Sequence, residues 1–201
     1  MSSRDAILGA LSSVTRDAPA LPSGGLGAIE FEDPATEFIE VLEAVGGRAI
    51  TVERDRELSE VLHQLPVWSQ ARRICSLQPG VEGANVDLAS VSDPHDLEDL
   101  DVAIVPGEFG VAENAAVWVD DRAIPHRAVL FIPQHLVLVL RRDLIVDNMH
   151  EAYRRLRFAA PGFGVFISGP SKTADIEQSM VIGAHGPRSL TILVTEAREV
   201  D

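Results

Sequence analysis

A chain of 201 residues with 46% hydrophobic content suits one globular domain with a full core, with or without an N-terminal arm. The net charge of −14 argues against a nucleic-acid surface, since phosphate contacts need clustered Lys and Arg, and it disfavours anionic membranes. One cysteine, Cys75, excludes an internal disulfide and an iron–sulfur cluster held by this chain alone.

The chain opens on polar residues with no signal-peptide pattern, and no apolar run approaches the roughly 20 residues of a membrane helix, so no membrane insertion and a cytoplasmic location are expected. Residues 3–13 read as a short amphipathic helix with Ile7, Leu8 and Leu11 on one face. Residues 15–33 are rich in Pro and Gly and read as an extended segment, so 1–33 is assigned as an N-terminal helix and arm. The arm can pack on the body or on another subunit, which leaves a homo-oligomer open. The α/β domain is expected over 34–201.

Asp33-Pro34 predicts a helix start, an N-cap carboxylate followed by proline where its missing N–H costs nothing. Phe38, Ile39, Leu42 and Val45 form its buried face, and Gly46-Gly47 ends it. A strand follows at 49–52, a helix near 55–65 ended by Pro66, and a strand at 72–76. Cys75 is read as a small buried hydrophobe rather than a nucleophile. Residues 78–95 read as loop.

Strands are expected at 101–105 and 115–119, and the apolar runs 128–132 and 136–140 have the character of buried central strands. Asp143 is expected to cap a helix running to about 157. This rhythm predicts a single α/β domain with a mainly parallel sheet flanked by helices.

Near the C-terminus, Val165, Phe166 and Ile167 read as a short buried strand that Gly169 and Pro170 break. Ser171 or Thr173 is expected to cap a following helix with Ile176, Met180 and Val181 on its apolar face and Gly183 at its close. A polar loop at a helix N-terminus is a natural anion site, and Lys172, the only lysine in the chain, lies in it. Such turns also commonly cap a helix and bind nothing. Asp175, in the expected first turn, argues against an anion. No G-x-x-x-x-G precedes Lys172-Thr173, so nucleotide hydrolysis is not supported, and no dinucleotide fingerprint or other cofactor motif is present.

The ordered segments Gly169-Pro-Ser-Lys-Thr-Ala-Asp-Ile-Glu177 and Gly183-Ala-His-Gly-Pro-Arg188 resemble the signature of the LUD (lactate-utilisation) domain family. The resemblance implies a fold like that of the NagB/RpiA/CoA transferase group, which includes sugar-phosphate isomerases and class I CoA transferases. It also implies a part in oxidising L-lactate to pyruvate, with iron–sulfur subunits as partners. Val111-Ala-Glu-Asn-Ala-Ala-Val-Trp118 sits where family members show Ala-Glu-Thr-Gly or a close variant, and it resembles the Ser-Glu-Asn-Gly segment of class I CoA transferases. Glu113 matches their nucleophilic glutamate, while Ala115 replaces the glycine, making close approach of a ligand to the backbone harder.

Three roles for Glu113 stay open on the sequence: a residue lining a ligand cleft, expected between two parallel strands, a covalent nucleophile, or a carboxylate bonded to neighbouring amides. His135, at a strand start, is the expected polar partner of Glu113. His185, between two glycines, either faces the same cleft or points to solvent. The cleft is expected between residues 107–114 and 168–175, with Ser168, Gly169, Ser171, Lys172, Thr173, Asp175 and His185 binding a small anionic ligand. The six histidines show no H-x-x-x-H spacing, so no metal site is expected. Beside a purely structural subunit with a vestigial cleft, two function classes follow. One is a binding subunit of a lactate-oxidising system, and the other is a stand-alone enzyme of the CoA-transferase or phosphosugar-isomerase type using Glu113.

Overall fold

In a computed structural model, residues 2–12, 27–53, 57–156, 162–176 and 179–196 are described. Helix α1 (Ser3–Ser12) buries none of its residues. Residues 13–26, which include 15–26 of the extended segment predicted over 15–33, lie outside the described set. Helix α2 (Pro34–Ala44) starts as predicted: the Asp33 carboxylate accepts from the amides of Ala35 at 3.1 Å and Thr36 at 3.4 Å. Ala35, Phe38 and Leu42 fall on one face and are buried. The chain then turns through Gly46, whose φ of +87° suits glycine, into strand β1 (Arg48–Val52).

Two short helices follow, α3 (Leu58–His63) and α4 (Pro66–Gln70). Pro66 therefore does more than end the predicted helix, since it occupies the first position of the next one. Strand β2 (Ile74–Ser76) leads through two 3-10 turns to β3 (Val102–Pro106), β4 (Phe109–Val111) and β5 (Ala116–Asp120). Then come β6 (His135–Arg141), β7 (Ile145–Val146), helix α5 (Met149–Arg155) and β8 (Gly164–Ile167). The chain closes with β9 (Lys172–Ile176), β10 (Ser179–Ile182) and β11 (Ser189–Thr195).

The central sheet has five strands in the order β1-β11-β6-β3-β2, every neighbouring pair parallel. Its inner strands are apolar on both faces because both faces are covered. Alternate residues divide between two cores. Ala103, Val105, Leu136, Leu138, Leu190 and Ile192 pack with Phe38 and Leu42 of α2. Val102, Ile104, Val137, Val139 and Leu193 pack with Val61, Leu62 and Leu65 around α3 and α4. The predicted mainly parallel sheet flanked by helices is present.

Beside it lies a four-stranded sheet, β7-β4-β5-β8, in which β4–β5 and β5–β8 are antiparallel. Several expectations are corrected here. The 128–132 run is not a strand but a 3-10 turn over Arg127–Leu130 that buries Val129 and Leu130. The helix expected from Asp143 begins only at Met149, capped by the Asn148 side chain on the Glu151 amide, because Asp143 forks instead with Arg141. Strand 165–167 is half-buried rather than buried, since β8 forms an edge of the smaller sheet. The helix expected after Ser171 is an antiparallel hairpin, β9–β10, in which Lys172 pairs with Ile182 and Thr173 with Val181. No helix N-terminus forms at this loop.

Candidate functional site

Glu113 stands on a 3-10 turn, Ala112–Asn114, that joins antiparallel strands, not the parallel strands expected. Its carboxylate accepts the Met149 amide at 2.8 Å, and its own amide donates to the Asp147 carbonyl at 3.0 Å. Met149 is the first residue of α5, so Glu113 satisfies one of the free amides at that helix start from outside it. Around it, Asp147 accepts the Phe31 amide at 2.8 Å, and the Asn148 side chain donates to the Ile29 carbonyl at 2.8 Å. The turn ends in Ala115, fully buried with φ of +52°, a left-handed conformation that a glycine would adopt without a Cβ penalty.

Ser168 joins this turn to the signature loop, its hydroxyl donating to the Asn114 carbonyl at 2.7 Å. Gly169 follows with φ of +70°, packed so closely on the end of α2 that a Cβ would lie 2.9 Å from the Val45 carbonyl oxygen. The signature residues after it fold on themselves. The Ser171 amide donates to the Pro187 carbonyl, and the Gly183 amide to the Ser171 carbonyl, both at 2.9 Å. Gly186 is pressed on Ser171, where a Cβ would come 3.0 Å from the hydroxyl. Thr173 Oγ1 lies 3.5 Å from His185 Nδ1. The two halves of the motif are therefore one structural unit, in which Ser171 meets Gly186 and Thr173 meets His185.

Lys172 is exposed, and its ammonium lies beside Gly46, where the negative end of α2 answers part of its charge. Asp175 lies on β9 with its side chain outside the described set. Among the described residues no carboxylate forms an ion pair with Lys172 or His185.

His135 does not meet Glu113 through any contact among the described residues. It begins β6 in register with Ser189 of β11, and its Nδ1 lies 2.8 Å from the Ser189 hydroxyl. Burial and the nearby Arg188 cation hold its pKa below the ordinary histidine value, with Asp101 opposing. The Arg188 amide donates to the Gln134 carbonyl at 2.8 Å. His135 thus belongs with the end of the signature, a grouping that reading along the chain missed. The available signal was Arg188-Ser189 following directly on the glycine-rich turn at the start of a strand.

Elsewhere, Arg73, Asn85, Asp87 and Ser90 line a depression of about 310 Å³. Its polar side chains are occupied: Asn85 holds the Ile74 amide and the Arg72 carbonyl, and Arg73 pairs with Asp99. Among the described residues no three His, Cys, Asp or Glu side chains gather as a metal would require. No helix among them is long and apolar enough to cross a membrane.

Comparison with known proteins adds a family. The LUD domain model matches residues 83–195, more than half of the chain. Lactate utilization protein C from Halalkalibacterium halodurans is 31% identical over 107 residues, which are 50% of this chain and 46% of that protein. An uncharacterized protein, YkgG, from Escherichia coli K12 is 26% identical over 171 residues, covering 81% of this chain and 69% of that one. Against the lactate utilization protein C relatives from H. halodurans and Shouchella clausii, the match spans about half of their length. Among solved structures, a DUF162 family protein from Deinococcus radiodurans superposes with a TM-score of 0.61 over 83% of this chain and 99% of that one, at 18% identity. That likeness concerns the fold.

Proposed function

We propose, from the premise that this chain belongs to the LUD domain family, that it serves in L-lactate utilisation as a subunit that binds a small anionic ligand. The observation that carries the reading is the close folding of the signature, in which Thr173 Oγ1 lies 3.5 Å from His185 Nδ1 and Gly186 is pressed on Ser171, with the exposed Lys172 between them in the chain. Hydroxyls and an imidazole supply hydrogen bonds to an anion, and the ammonium nearby in the chain supplies charge. Electron transfer falls to partner subunits with cysteine-ligated clusters, because the one cysteine here is buried in the sheet. The setting is the cytoplasm.

The test is growth on L-lactate of a strain lacking the gene, together with assay of the isolated chain. Wild type restores growth and Lys172→Ala restores it poorly, while the isolated chain reduces no dye with lactate. Turnover or stoichiometric iron in the isolated chain contradicts the reading.

A second reading, an acyl-transferring enzyme using Glu113, draws support from the strained backbone at Ala115 beside a half-buried carboxylate. Incubation with acyl-CoAs and hydroxylamine trapping separates the two. A trapped acyl group on Glu113 makes the transferase reading the leading one.

A further inference from the structure

The smaller sheet ends on an edge that nothing among the described residues covers. We propose that this edge, strand β8, docks a second copy of the chain, the two β8 strands pairing antiparallel about a two-fold axis at Val165.

Within one copy β8 pairs with β5 alone, in a register that sets Val165 opposite Val119 and Phe166 opposite Trp118. The same register continues to Phe163, whose carbonyl accepts the Asp121 amide at 3.0 Å. Residues facing each other in antiparallel strands alternate between bonded and unbonded pairs. Phe163, Val165 and Ile167 therefore bond inward to β5, and Gly164 and Phe166 turn their N–H and C=O groups outward.

The other sheet edges are blunted. Strand β7, across the same sheet, has two residues, and β2 has three and is bridged at Cys75 by Val86. Strand β1 opens on the exposed Arg48. Shortness, charge and proline are the usual guards of an edge, and Gly-Val-Phe-Ile carries neither a charge nor a proline.

Such an edge accepts an extended strand, and three features fit it to itself. First, the outward residues stand one on each side of Val165. A two-fold there sets Gly164 of each copy opposite Phe166 of the other, and every outward N–H meets an outward C=O. Second, opposed residues share a face. Trp118 already covers Gly164, where a Cβ would lie 2.2 Å from the indole, and it packs on Phe166 at 4.7 Å between centroids. The Phe166 ring of the other copy thus crosses a residue with no side chain and meets that indole, prolonging the aromatic row. Third, the strand is uncharged in a chain of net charge −14, so pairing sets no carboxylates of β8 against each other.

Sedimentation velocity of the full chain over a range of concentrations, with amide exchange followed by NMR at both ends of that range, tests the pairing. A monomer–dimer equilibrium is expected, tightening from low to physiological salt as screening weakens repulsion between acidic copies. The Gly164 and Phe166 amides gain protection with concentration, while those of Val165 and Ile167, bonded to β5 throughout, do not. Phe166→Ala keeps the outward N–H, and Phe166→Pro removes it without touching the β5 ladder. The proline variant is expected to dimerise about thirtyfold more weakly than the alanine variant, the worth of one ordinary hydrogen bond lost from each copy. Equal dimerisation of the two variants overturns the proposal. So does a monomer at every concentration, and if its two outward amides are protected, another segment of the same chain covers the edge. Dimerisation that leaves those amides unchanged overturns it as well and places the interface elsewhere. Wild-type exchange decides the matter if the proline variant does not fold.

Discussion

Glu113 is held by a bond that has nothing to do with a substrate: its carboxylate takes the Met149 amide at the start of α5. Caps of this kind contribute about 1 kcal/mol. Glu113→Ala is therefore expected to lower stability by about that amount in urea melts, and Glu113→Gln, which keeps a carbonyl acceptor, by clearly less. Equal losses from both substitutions show that the charge, not the bond, matters. Cys75 is the opposite case, a group shielded from everything. Burial pushes its thiol up to about 12 from an ordinary 9.0. Its folded pKa lies above its unfolded one, so above pH 9 the unfolded chain ionises first and stability falls as pH rises from there. The expected outcome is a Cys75→Ser variant whose stability above pH 9 falls less steeply than wild type, with native Cys75 inert to thiol reagents.

The outer sheet depends on a close contact between neighbouring strands. A Cβ on Gly164 of β8 would lie 2.2 Å from the Trp118 ring on β5, a ring that also packs on Phe166 at 4.7 Å between centroids. Gly164→Ala must push the indole out of the aromatic group and is expected to cost about 1–3 kcal/mol, readable as a lowered urea midpoint. An unchanged midpoint would mean that the outer sheet yields freely. At this scale the sequence was uneven. Helix α2 was legible because its cap, its first-position proline and its apolar spacing all agree. The hairpin β9–β10 was not: Ile176, Met180 and Val181 happen to fit a helical face, while the interactions that decide the matter, Ser171 with Pro187 and Gly183, are remote in sequence. Strands β4 and β7 have three and two residues, too few to show any period. The run 128–132 was apolar because it is buried as a turn, and short apolar runs do not reveal which.

For the whole molecule, the parallel sheet could be read from continuous apolar stretches such as Leu136–Leu140, which only a sheet covered on both faces sustains. The candidate site was legible in part. The signature residues lie together along the chain, but the grouping of His135 with Arg188 and Ser189 arises from strands β6 and β11 lying side by side, 54 residues apart in sequence. The same folding moved Glu113 out of that group and gave it to α5.

The central claim is that the folded signature loop holds a small anion through Lys172. Thermal unfolding of wild type and Lys172→Ala, each titrated with L-lactate, pyruvate and inorganic phosphate at constant ionic strength, tests it most directly. At a hundred times Kd, linkage gives about 2.7 kcal/mol of added stability. The account predicts a saturable rise in Tm for wild type with at least one of these anions, and a much smaller rise for Lys172→Ala at the same concentration. Equal rises in both proteins, or none in wild type, would contradict it.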